Sequence, residues 1–232
     1  MDKDRPPCLL PVPQSILNMV TEPDSERSDD ATEHGGRVRS FRHERGNWAS
    51  YVYVAFHPRE EFWELLEELK SAARKHGVTL STMKELHVSL SHTVVLRHHW
   101  IQPLVQTLRN NLCSTPRFLC VADKLKVYVN KEKSRTFLGL EVARGRQQLL
   151  EAVSEVDKSL QEFHLETFHQ NPSFHVSLAW SVGDVAEALQ GACLLELQRV
   201  VDDFEDSDVL TRFCADTVYC KCGNKVMSIP LC

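Results

Sequence analysis

The succession of elements written into this chain runs through twice, and each pass carries the same tetrapeptide, His-Val-Ser-Leu, at His87 to Leu90 and again at His175 to Leu178. The surroundings repeat too: Leu86 or Phe174 stands before the motif, Ser91 or Ala179 after it, and an amphipathic helical pattern ahead of it. Apolar, β-branched neighbours read as a buried strand, in which alternate residues share a face. His87 and Ser89 then point one way, as do His175 and Ser177, while Val88, Leu90, Val176 and Leu178 point into a core. A unit of helix, motif strand, helix and hairpin used twice implies a bilobal, pseudo-twofold α+β fold. Two antiparallel sheets would face a central groove, with helices outside.

The periodicities place the other elements. Trp48 to Phe56 alternates as a strand, and Glu60 to His76 puts Phe62, Leu65, Leu66, Leu69 and Ala73 on one helical face before Gly77 ends it. A helix carries Ile101, Leu104, Val105, Leu108 and Leu112, with Pro103 tolerable if the helix begins close by. Phe118 to Val121, Lys124 to Asn130 and Thr136 to Val142 read as three strands of a meander. The second pass has a helix with Leu149, Val153, Val156, Leu160 and Phe163 inward, the motif strand Ser173 to Trp180, and a helix from Asp184 to about Phe204. Strands near Phe213 to Lys221 and Lys225 to Ile229 close it around Gly223-Asn224.

Residues 1–36 are rich in Pro, Ser, Asp and Glu, lack periodicity and end at Gly35-Gly36, the pattern of a disordered acidic tail ahead of a single domain over 37–232. Charge follows the same boundary. The tail holds three Lys/Arg and eight Asp/Glu, so the whole net charge of −5 resides there and the body is formally neutral. A globally basic nucleic-acid grip is excluded, although Arg37, Arg39, Arg42 and Arg45 offer either a local patch or a solvated lead-in to the first strand. The eight cysteines show no C-x-x-C spacing, which speaks against structural zinc or a disulfide framework and for reduced thiols. No window is apolar enough to span a bilayer and the start lacks a secretory layout, so residence in the cytosol or nucleus is expected.

Two imidazole-plus-hydroxyl pairs around one groove fit a phosphodiester. RNA brings its own nucleophile, the 2′-hydroxyl, so a site needs a base to take that proton, an acid for the departing 5′-oxygen and donors for the phosphorane oxygens. Histidine, with an unperturbed pKa of about 6.5, suits both proton roles. Ser89 and Ser177 supply donors, and no step of this scheme calls for a metal or other cofactor. On their own residues, His87 and His175 are interchangeable as acid and base.

Two His-x-Ser elements 88 residues apart resemble the two-histidine phosphoesterase superfamily. Further stretches, Arg42-His43-Glu44-Arg45-Gly46-Asn47-Trp48, Val94 to Trp100, Gly139-Leu140-Glu141-Val142, Ser154 to Asp157, Pro172 to His175 and Gly223-Asn224-Lys225, are similar to its branch that processes the 3′ end of U6 spliceosomal RNA in vertebrates. The resemblance covers Arg37 to Leu231 and implies a nuclear, monomeric 3′-to-5′ exoribonuclease that trims a uridine-rich tail and leaves a 2′,3′-cyclic phosphate. Both hydrolase and lyase classes are expected on that account. It implies His87 and His175 as the catalytic pair, with His175 the base and His87 the acid, and Ser89 and Ser177 as phosphate ligands. It also implies a base-stacking residue six positions before the second histidine, where the branch has tyrosine and this chain has His169. An imidazole presents less area than a phenol, and base stacking is worth roughly 1–3 kcal/mol, so terminal-base preference is expected to differ.

Two other readings compete. A 2′,3′-cyclic phosphodiesterase or RNA-end-processing enzyme of the same superfamily would keep the site and change the substrate. An RNA-binding module would use both motifs only in its core. Lys124, Lys126, Tyr128 and Asn130 share a strand face and suit either an RNA-contacting stripe or a solvated edge. His98-His99-Trp100 is expected to cap a helix rather than bind a metal.

Overall fold

The computed structural model describes residues 46–232; the expected tail, its boundary at Gly35-Gly36 and the arginines Arg37, Arg39, Arg42 and Arg45 lie outside the described residues. In chain order the elements are β1 (Asn47–Ala55), α1 (Glu60–Lys75), β2 (Ser81–Thr82), β3 (His87–Ser89), β4 (Val94–Arg97), α2 (His98–Leu112), β5 (Phe118–Val129) and β6 (Arg135–Arg144). There follow α3 (Arg146–Glu162), β7 (His175–Val182), α4 (Ala186–Leu189), α5 (Ala192–Asp203), α6 (Ser207–Leu210), β8 (Arg212–Ala215), β9 (Thr217–Cys222) and β10 (Lys225–Pro230).

The two antiparallel sheets are halves of one ladder, ordered β10-β9-β1-β3-β7-β6-β5-β8, with β4 also on β1 and β2 on β7. The halves join where β3 meets β7. A pseudo-twofold there exchanges β1 with β6, β9 with β5 and α1 with α3, and it maps the packing of α1 on α5 onto that of α3 on α2. The hairpins cross over, which the expectation of self-contained lobes did not include. Both edges of the short β3 are taken, by β1 and β7, so the hairpin β5–β6 that follows α2 adds to the second half, and the late hairpin β9–β10 returns to β1.

Local chemistry explains the elements. Phe62, Leu65, Leu66, Leu69, Ala72 and Ala73 of α1 are buried, Glu60 and Glu61 sit in its first turn and Arg74 and Lys75 in its last, each charge opposing the helix dipole. The helix closes in a Schellman motif: Gly77, at φ +76°, donates to the Arg74 carbonyl at 2.9 Å, and Val78 to that of Ala73 at 3.1 Å. Its counterpart α3 ends identically, His164 donating to Gln161 at 3.0 Å and Leu165 to Leu160 at 3.0 Å, but with His164 in the left-handed position at φ 55°. The shared cap is a trace of the duplication that the sequences of the two caps do not display.

Several boundaries differ from expectation. Phe118 to Val129 is one strand, bulged around Ala122, rather than two, and Asn130 lies just past its end. The helix expected from Asp184 to Phe204 is broken at Gln190-Gly191. The strand expected over Phe213 to Lys221 divides at Asp216, so that β8 pairs with β5 and β9 with β1. Pro103 lies beyond the first turn of α2, which starts at His98, so that helix lacks one hydrogen bond to the His99 carbonyl. His98, His99 and Trp100 open that helix, exposed, as expected. Past β8, the edge of β5 is covered by the Gln198 amide, which accepts from Leu125 N–H at 2.8 Å and donates to the Asp123 carbonyl at 3.0 Å. The seven described cysteines are free thiols, and no described helix is long and apolar enough to cross a membrane.

Candidate active site

The helices and the core occupy one face of the sheet; the motif histidines look out from the other. Val88, Leu90, Val176 and Leu178 are buried to 1% exposure or less, with Leu86 and Phe174 behind them, so a one-residue slip of either strand would expel its whole apolar set. That locks the pairing Val88↔Val176. Because the strands are antiparallel, His87 stands opposite Ser177 and Ser89 opposite His175. Residues directly opposite have Cβ atoms about 4.5–5.5 Å apart. The four side chains therefore form a square on one face, each histidine facing the other motif's serine. The two imidazoles sense each other, since a charge on His175 lowers the pKa of His87.

His175 is held on three sides. Its Nδ1 lies 2.7 Å from the Ser173 carbonyl, which only accepts, so Nδ1 carries the proton and Nε2 is left with a lone pair. Its ring stacks on Tyr128 at 3.8 Å and 18°. Behind it, the Ser173 hydroxyl donates to Glu141 Oε1 at 2.7 Å, which makes Tyr128 the donor in its 3.0 Å bond to Ser173 Oγ, and Lys126 Nζ reaches the same Glu141 oxygen at 3.0 Å. The Ser173 hydroxyl, then the Lys126 ammonium, hold Glu141 below the usual carboxylate range. Burial lowers the pKa of His175, opposed by the Ser173 carbonyl and the Glu141 charge.

Gly139 lies beneath this stack. A Cβ there would sit 3.1 Å from His175 Cδ2, 3.1 Å from Tyr128 Cε2 and 3.3 Å from the Val176 carbonyl, so any side chain must push the imidazole. Gly139→Ala is expected to lower kcat about tenfold with little change in KM and a stability cost of about 1 kcal/mol, because displacements of the order of 1 Å already cost up to 100-fold. Unchanged kcat in a folded variant, checked by thermal melting, would show that His175 has room to yield.

The His87 half is built differently. Tyr51 and Tyr53 lie 5.6 and 5.1 Å from the imidazole, and Tyr219 stacks on Tyr53 at 5.5 Å. Burial and the neighbouring Tyr51 push the Tyr53 hydroxyl up to about 12. Lys221 Nζ pairs with both Glu85 oxygens at 2.6 and 2.8 Å. The Glu85 carbonyl favours protonation of His87, yet the buried Nδ1 completes no well-aligned hydrogen bond, unlike its counterpart at His175. Burial is again the main cause that lowers the His87 pKa.

Sequence reading found the four corners of the square and missed most of their supports. Tyr51 with Tyr53, Tyr219 with Lys221, and Gly139 with Glu141 are each spaced by two on neighbouring strands, a signal that becomes readable only once strand order is known. Of the stripe expected over Lys124, Lys126, Tyr128 and Asn130, the first three do face the groove, whereas Asn130 lies past the end of β5 and bonds within the turn to Ser134 Oγ and Arg135 N–H. His169 is not drawn into the square. It meets His92 edge-on at 4.1 Å and Phe168 at 5.3 Å, and lines a cleft of about 390 Å³ with Asp157, Lys158, Gln161 and Thr167, a cleft to which His87 and His175 do not contribute. His92, just past the first motif, is the link between the two places.

Comparison with known proteins places the chain in a family. A family model named HVSL and described as an uncharacterised conserved protein matches residues 10–230. The structure of Kluyveromyces marxianus Usb1 superposes with a TM-score of 0.57 at 16% identity, over 80% of this chain and 98% of that one; the same protein with uridine monophosphate gives 0.58. Fold and paired His-x-Ser strands define a two-histidine phosphoesterase. U6 snRNA phosphodiesterase 1 of Xenopus laevis is 60% identical over 96% of this chain and 89% of its own length, and that of Homo sapiens is 53% identical over 96% and 84%. The chain belongs to the U6 snRNA phosphodiesterase 1 family. One expectation is corrected: relatives named phosphodiesterases carry a hydrolase identity, so the hydrolase class holds and the lyase class is withdrawn.

Proposed function

We propose that this protein is a nuclear 3′-to-5′ exoribonuclease that trims the oligo-uridine 3′ end of U6 snRNA, acting as a monomer and without a metal. The relatives' names supply the substrate, and the observation that carries the chemistry is the cross-strand square with His175 Nε2 unprotonated. In this reading His175 Nε2 removes the 2′-hydroxyl proton, the 2′-oxygen bonds to phosphorus and the P–O5′ bond breaks. His87 delivers its proton to the departing 5′-oxygen, leaving a 2′,3′-cyclic phosphate on the shortened chain. The hydroxyls of Ser89 and Ser177 donate to the non-bridging oxygens, where charge builds up.

Burial lowers the pKa of both histidines and so favours the neutral form, which suits the base and not the acid. The arriving phosphodiester carries the negative charge that favours protonation of His87. His169, at the cleft it shares with Phe168, is the residue proposed to stack the terminal base.

The test is mass spectrometry of a uridine-tailed RNA after digestion by the purified chain in EDTA. A ladder of products one nucleotide apart, each lacking one water relative to a linear phosphate, is expected. Unchanged length with opened cyclic ends would favour the cyclic phosphodiesterase reading, and strict dependence on added magnesium would remove the metal-free scheme.

A further inference from the structure

Alternation along β7 from His175 and Ser177 would place Ala179 and Ser181 on the groove face and Trp180 in the core. The strand does the opposite. β6 residue Leu138 pairs with Ala179 and the next, Gly139, with Ser177, so Leu178 is an extra residue and the phase of β7 reverses there. Leu138 and Ala179 are both fully buried, and Trp180 comes to stand opposite Phe137, on the face that holds Gly139 and Glu141. Bulges beside active sites commonly re-aim a side chain. Trp48, Phe163, Phe168 and Phe204 pack against the core from its margins, a set to which Trp180 and Phe137 do not belong. Trp180 is half-buried and its ring lies 4.7 Å from the Arg135 guanidinium carbon.

A large aromatic ring turned out of a core, edged by a cation and three residues along the strand from a phosphate-binding serine, is what a stacked nucleobase requires. At about 3.3 Å per residue it stands within about 10 Å of that serine. We propose that Trp180, bordered by Phe137 and Arg135, is a stacking subsite for one base of the RNA chain near the scissile phosphate, distinct from the His169 cleft. This rests on the RNA phosphodiesterase reading above. Stacking does not discriminate strongly among bases, so the subsite would grip the strand and set its register rather than read its sequence.

The experiment is a cycle between protein and substrate. Cleavage of a uridine-tailed RNA is measured for the unaltered protein, Trp180→Leu, which keeps apolar bulk, and Trp180→Phe, which keeps a ring. The measurement is repeated on RNAs with a single abasic ribose at each of the terminal few positions. Trp180→Leu is expected to lower kcat/KM about tenfold on intact RNA, Trp180→Phe to lose much less, and the loss from Trp180→Leu to vanish at one abasic position only. Equal loss at every abasic position, no loss on intact RNA, or equal impairment by leucine and phenylalanine would overturn the subsite. Should the unaltered protein cleave none of these RNAs, the functional reading itself fails and the subsite with it.

Discussion

Alanine at His175 or at His87 is expected to lower RNA cleavage by about 10²–10⁴-fold while the fold survives. Both rings lie on the groove face, outside the apolar set that fixes the strand pairing, so their removal leaves Val88, Leu90, Val176 and Leu178 in place. Loss of His175 removes the lone pair that its Ser173 hydrogen bond sets up. Loss of His87 removes the donor that the proposed mechanism aims at the leaving oxygen. An RNA-binding module with structural motifs predicts instead unfolding or no effect, so activity and thermal melting measured together decide. The same variants bear on acid stability. Each folded-state histidine pKa is lowered, chiefly by burial. Below about pH 6.5 the unfolded chain therefore takes up protons that the folded one does not, and stability declines as pH falls through the folded values. Either alanine variant should lose less stability than the unaltered chain over that interval, and an identical pH dependence of melting would contradict the inferred burial.

The second large effect is on the substrate side. Replacing the 2′-hydroxyl beside the scissile phosphate with hydrogen is expected to abolish cleavage at that linkage, because in the proposed mechanism the proton taken by His175 and the oxygen that attacks both belong to it. Binding should persist, since the phosphate contacts proposed for Ser89 and Ser177 do not involve that group. A chain read from its 3′ end should therefore stall at a single internal deoxynucleotide, visible as one product length on a gel. Normal passage through that position would make water the nucleophile and require a differently placed base.

The supports of the two histidines differ in a way that gives these experiments direction. Tyr128, Ser173, Glu141 and Lys126 form a connected chain around His175, whereas His87 sits among Tyr51 and Tyr53 with its Nδ1 unsatisfied. A fixed tautomer serves a base, which must present the same lone pair in every cycle. An imidazole whose Nδ1 is not committed to one partner suits a group that must be protonated when the phosphate arrives.

His87, Ser89, His175 and Ser177 were legible because the signal is local: a strand period of two, repeated with its apolar flanks, orients side chains without any knowledge of partners. The helices α1, α2 and α3 were legible for the same reason, their apolar faces being complete within one stretch of chain. What the amino-acid order alone determined, then, was the duplicated α+β plan, the place of the two motifs on their strands and the faces they occupy. Only the tertiary structure decided that each histidine faces the other motif's serine, that the hairpins exchange between halves, that Gly139 makes room for the His175 ring, and that a bulge at Leu178 turns Trp180 outward. These depend on strand order and register, which are set by contacts between segments far apart in the chain, and no periodicity within either segment records them.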